Sequence, residues 1–408
     1  MTAAHRRVRL ACYTSNVCMS LVANLSPLLF LTFRAQYGIS FTMLGLLIVI
    51  NYFSQLIIDL IFSFFSQKFN IARTVKLMPW FTIAGYAVFT ASPSIFPQHA
   101  YAGLLAGTVL FSISAGLGEV LLSPVIAALP ADDPDREMSK LHSVYAWGTV
   151  FVVIFATLFL LVFGTANWQW LALVMMLIPL TAALLFAGAE IPKMSSPEKI
   201  SGVMSFLRNK GLWLCMLAIF LAGASECTMS QWASSYLEQA LGLPKVWGDV
   251  GGVALFAVML GTGRTLYAKR GRNIGKVLLL GGIGASACYL IAAVSGLPLI
   301  GLAACALTGL CTSMLWPGSL ITSTSRFPAG GVLIYALMAA AGDLGASVGP
   351  QLVGLVTDLV IANPGSAAIA AGIGCTADQL GMKLGMLIGM LFPLFSIPVY
   401  AKLRKKEK

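Results

Sequence analysis

Apolar residues run along this chain in long blocks, and the polar residues gather in short stretches between them. A helix needs about 20 consecutive apolar residues to cross the hydrocarbon of a bilayer. Twelve runs meet that length: 10–33, 41–65, 75–96, 100–129, 141–164, 168–188, 211–238, 247–267, 276–295, 297–322, 331–361 and 379–401. They are numbered here as spans one to twelve. An even number of spans places both termini on the same side of the membrane.

The basic residues choose the side. All but Arg34, Lys245 and Lys383, that is 23 of the 26, fall at the termini, in the even-numbered loops or in the span ends beside them. Cytoplasmic loops carry this excess of Lys and Arg, so both ends are expected in the cytoplasm, in a bacterial inner membrane. The net charge of +11 does not point to nucleic acid, because the cations sit at the edges of apolar runs. With 58% hydrophobic and 10% charged residues, the composition is far from the roughly 25% charged residues of soluble domains. The opening "MTAAHRRVRL" mimics a signal peptide, but the run behind it is too long for a signal core and reads as a retained span. The eight cysteines show no metal-ligand spacing, and seven lie in apolar runs, where Cys acts as a small hydrophobe. No metal site, cofactor or disulfide is expected, and nothing pairs a nucleophile with a base as in an enzyme.

The chain divides in the middle. "AEIPKMSSPEKISG" (Ala189–Gly202) is polar, with two prolines and three serines, and reads as a linker. The expected organisation is a six-helix bundle over 1–188, a cytoplasmic linker over 189–210 and a second six-helix bundle over 211–408. "FNIARTV" after span two and "RNIGKVL" after span eight start 203 positions apart, a weak echo of one half in the other. The fold class is thus an all-α membrane protein, twelve transmembrane helices in two pseudo-symmetric bundles. Secondary transporters have this plan, with the substrate site at the repeat interface.

Four acids stand more than five positions from either end of a run: Asp59, Glu119, Glu226 and Asp343. A charge at mid-membrane costs about 2.5–3.5 kcal/mol on insertion scales, so such residues face a bundle interior or water. Glu119 has no basic residue within fifteen positions on either side, and is expected to be buried and alone. Residues three and four apart share a helix face. Span four then aligns Ser112, Gly116, Glu119 and Ser123, and span seven Gly223, Glu226, Met229 or Ser230, and Ala233. Span one aligns Asn16, Ser20, Asn24 and Pro27, and span ten Gly309, Thr312 or Ser313, and Trp316. Plain small-residue packing explains the glycines and serines but not the acids. Glu119 and Glu226 are therefore the expected proton-coupling residues. With Asn24, Trp232, Trp316 and Tyr145 they are the expected substrate contacts, the aromatic faces covering the C–H side of a sugar. Asp59, Arg264 and Asp343 are expected to gate, with Arg264 the expected partner of Asp59.

These residues resemble a known family. Glu119-x-x-x-Ser123-Pro124 in span four is similar to the Glu-x-x-x-Asn-Pro of proton-coupled fucose permease and its sugar-transporter relatives in the major facilitator superfamily. "GRTLYAKRGRNIG" after span eight resembles the superfamily's cytoplasmic loop, and "GDLGASVGPQLVG" in span eleven and "HSVYAWG" at the start of span five resemble stretches of the same relatives. Fucose permease has an acid in span one where this chain reads "ANLSPLL", so the likeness is to the branch. The resemblance implies a monomeric secondary transporter moving a small polar solute, a monosaccharide, with a proton. Na⁺ coupling at Glu226, efflux of drug-like amphiphiles and a non-transporting sensor are the alternatives.

Overall fold

The computed structural model describes residues 3–65, 68–130, 134–192, 208–270, 273–327 and 331–405. Most of the expected linker lies outside them, as do the side chains of Ser123, Pro124, His142 and Ser143. The described residues form helices and no strand. That follows from the solvent: in hydrocarbon a backbone N–H or C=O must bond within its own segment.

Among the described residues, ten helices are long and apolar enough to cross a membrane, or eleven with one bent pair counted as a span. The remaining run, span three, forms the 25-residue helix Ile71–Ile95, whose Ser, Thr and Pro residues dilute its apolar character. Span one is the bent pair: Ala3–Leu28 and Phe30–Tyr37 meet at 47°. Pro27 lacks the N–H that would bond one turn back, which loosens the helix there. Span six is jointed at Met176, and span ten at Ser313–Met314, between Pro298–Thr312 and Leu315–Arg326. Span eight begins with π-helical turns over Gly248–Ala254.

Two compact units emerge, and they are not consecutive in sequence. The first holds Met1–Ser26 and Ile50–Ile200; the second holds Pro27–Val49 and Ser201–Lys408.

In the first unit, spans one and five run side by side on three rungs of constant offset. Asn16 Nδ2 donates to the Leu141 carbonyl (2.5 Å), Ser20 Oγ to the Tyr145 carbonyl (2.7 Å) and Asn24 Nδ2 to Thr149 Oγ1 (3.3 Å). Gly148 makes this approach possible, since a Cβ there would stand 2.8 Å from Ser20 Oγ. Spans three and four close on Gly85 and Gly107, each lying on the other's backbone. Tyr86 stacks on Phe111 beside that contact, ring centroids 4.8 Å apart.

In the second unit, spans seven and eleven pack backbone to backbone. A Cβ on Gly345 would strike the Phe220 carbonyl, and one on Gly349 would strike Thr228 and Ala224. Trp232, fully buried, donates through Nε1 to the Pro350 carbonyl (2.8 Å), with Phe30 and Phe41 against its ring at 5.2 and 6.0 Å. The Pro27–Val49 segment is tied into this unit at both ends. Lys245 Nζ donates to the Leu28 carbonyl (2.6 Å), where the helix break leaves that carbonyl open, and the Asp358 carboxylate accepts from the Phe41 and Thr42 N–H groups (3.1 and 2.6 Å).

Candidate functional site

Spans two and four of the first unit carry a polar seam in parallel register. At the outer end by the basic-residue map, Ser112 Oγ donates to Asn51 Oδ1 (2.6 Å) and Gln55 Nε2 donates to the same oxygen (3.1 Å). One turn on, Gly116 brings the helices together: a Cβ there would lie 3.0 Å from the Gln55 Cα and Ile58 Cβ. The next turn places the Asp59 and Glu119 carboxylates with oxygens within 4.8 Å of each other. Asp59 is buried, and Glu119 is exposed. The expectation of a buried, solitary Glu119 is thus corrected. The residue is open, and a second acid faces it. Sequence distance hid the neighbour because Asp59 sits on another span, sixty positions away.

The second unit holds the other acid. Arg264 Nη2 donates to both oxygens of Glu226 (3.2 and 3.3 Å), and its Nε donates to the Ser313 carbonyl (3.1 Å). That carbonyl is available because its helical donor one turn on would be Pro317, which has no N–H. The partner of Arg264 is therefore Glu226 and not Asp59, another correction. The pair is partly open, with side chains 37% and 17% exposed. Trp316, one turn beyond Ser313, packs against Gly223 and Gly342, where a Cβ on either glycine would overlap its ring. Gly223 is one turn before Glu226, so the half-buried indole and the ion pair share one face of the unit.

The remaining expected residues are placed differently. Asn24 is buried, its amide engaged with the Ser20 carbonyl (2.8 Å) and Thr149. Trp232 belongs to the core of the second unit. Tyr145 is half-buried on span five and takes the Ser20 hydroxyl on its carbonyl. Asp343 is buried on span eleven. Of the expected set, the structure brings Glu226, Arg264 and Trp316 together in one unit and Asp59 with Glu119 in the other.

Two acids escaped the sequence reading. Asp249, fully buried, accepts from Lys245 (3.0 Å) and from Ser234 Oγ. Asp358 caps the start of span two. The first had a readable signal, since Lys245 and Asp249 are an i, i+4 pair. The second had none, because its partners are backbone N–H groups more than 300 positions away.

No curated protein matches this sequence. Solved structures do share the fold. A bacterial homologue of the human lysosomal transporter Spinster, in an inward-facing and occupied conformation, superposes with a TM-score of 0.76 at 14% identity, over 99% of this chain and 98% of that one. A D-xylose–proton symporter gives 0.69 at 14% identity, over 97% and 98%. The fucose:proton symporter of E. coli gives 0.60 at 16% identity, over 96% and 99%. Matched to the sequence profile of the Major Facilitator Superfamily over residues 12–350, this multi-pass helical chain belongs to that family.

Proposed function

We propose that the protein is a secondary transporter of the bacterial inner membrane that carries a small polar solute, of the monosaccharide class, together with a proton. The carrying observation is the Asp59–Glu119 pair, two carboxylates facing each other on adjacent spans, one buried and one open. Two carboxylates that close repel when both are ionised, so the pair gains by holding one proton between them. Glu119 can exchange that proton with water, and Asp59 keeps it inside the helix pair.

Glu226 is less suited to the coupling role. Arg264 already holds both of its oxygens, which competes with a proton and occupies the lone pairs a Na⁺ ion would need. We assign that pair to the solute side of the mechanism. The sugar likeness is supported by the symporters with this fold and by the half-open Trp316 ring beside polar groups.

The test uses Glu119→Gln in proteoliposomes. Uptake driven by a pH gradient should fall to simple equilibration, while counterflow of labelled solute down its own gradient should continue. Accumulation at the wild-type level would sink the coupling assignment.

A further inference from the structure

Arg264 has more to offer than its present bonds. A guanidinium presents five N–H donors. Nε is taken by Ser313 and Nη2 by Glu226, and among the described residues nothing accepts from Nη1. The side chain is 37% exposed although it stands in a membrane-spanning helix. An arginine is tolerated there where it meets water or an anion. The carbonyl and the carboxylate fix the guanidinium plane from two sides, so the free edge points in one direction, ready for a planar acceptor.

We propose that Arg264 is an anion-recognising residue of the transport site, and that the solute is a sugar acid whose carboxylate binds the free edge of the guanidinium. This rests on the transport reading above and sharpens its substrate class. Three features narrow the ligand. The single arginine faces one carboxylate already, so a monoanion is accommodated and a phosphate dianion is repelled. Glu226 uses two of its roughly four acceptor positions on Arg264, and the others suit sugar hydroxyls. The half-buried Trp316 ring, one turn beyond the Ser313 that Arg264 holds, offers an apolar surface for the C–H side of the sugar ring. Charge is consistent as well: a monoanion moved with one proton on the Asp59–Glu119 pair crosses without net charge.

The experiment compares glucuronate and glucose as probes in proteoliposomes, in wild type and in Arg264→Lys, Arg264→Gln and the double variant Glu226→Gln with Arg264→Gln. Wild type should accumulate glucuronate under a proton gradient and prefer it to glucose by about tenfold or more. Lys should weaken glucuronate uptake about tenfold, because an ammonium cannot form the planar two-point contact. Both Gln forms should lose the preference, and the double variant avoids leaving Glu226 without its cation. Three results would overturn the inference: wild type that accumulates glucose and ignores glucuronate, variants that slow both solutes equally and keep their ratio, and accumulation of neither solute. Only the last also counts against the transport reading. If Arg264→Gln does not fold, the wild-type preference and the Lys variant still decide.

Discussion

At Asp59 and Glu119, a separation of no more than 4.8 Å sets the size of the effect. Two unit charges at that separation repel by about 1 kcal/mol in a watery setting and about 3 kcal/mol at a protein-like permittivity. One proton relieves this, and neutralising either residue by mutation relieves it too. Asp59→Asn is therefore expected to uncouple uptake as Glu119→Gln does. The double variant should be no worse than the worse single one, because the two residues act as a unit. Additive losses of pH-driven uptake would show that they act separately. The same scale explains what the sequence could reveal. That Glu119 and Glu226 are candidates was readable from their isolation in apolar runs. Their partners were not, because Asp59 and Arg264 approach only through the packing of separate spans.

Helices in this protein are positioned by absences of side chain. Gly345 and Gly349 let span eleven rest on the backbone of span seven. A larger residue must push the two apart, and overpacking of this kind costs about 1–3 kcal/mol. Gly345→Val should lower the melting temperature in detergent by several degrees, and a change within error would place the helices further apart than described. Helix existence was legible from run length, even for span three, whose apolar signal is diluted. Prolines announce the joints of spans one and ten: Pro27 stands at the break in span one, and Pro317 lacks the N–H that would have bonded the Ser313 carbonyl one turn back. The open carbonyl at the first joint is held by Lys245, which also neutralises Asp249. Lys245→Met should destabilise by about 3–5 kcal/mol, as removing one partner of a buried pair does. Adding Asp249→Asn should restore part of that loss. Thermal unfolding of the single and double variants measures both.

For the molecule as a whole, orientation follows from the cations. A reporter fused after Lys408 is expected to be active only in its cytoplasmic form, since 23 of 26 basic residues then lie inside. Periplasmic activity of the fusion would invert the whole map and with it the direction in which Glu119 meets the proton gradient. The linker and the echo of "FNIARTV" in "RNIGKVL" made a division into two halves the expectation from sequence. The membership of Pro27–Val49 in the second unit was not, because nothing local marks it: it is written in the Asp358 cap, the Trp232 ring and the Lys245 ammonium.

That membership bears on how the protein is made. A ribosome delivers Pro27–Val49 long before Lys245, Trp232 and Asp358 exist. Until then Phe30 and Phe41 lack the indole they later pack on, and the Leu28 carbonyl lacks its donor. The nascent first half must therefore wait in the bilayer with one segment unfinished. Expressed alone, residues 1–192 should be short-lived, because a carbonyl and two N–H groups stay unsatisfied in lipid. Co-expressed with residues 208–408 as a separate chain, the same fragment should be rescued and purify with its partner. Pulse-chase lifetimes of the fragment, with and without the second chain, read this directly. Equal lifetimes in both cases would mean the segment finds other partners and finishes without the second half.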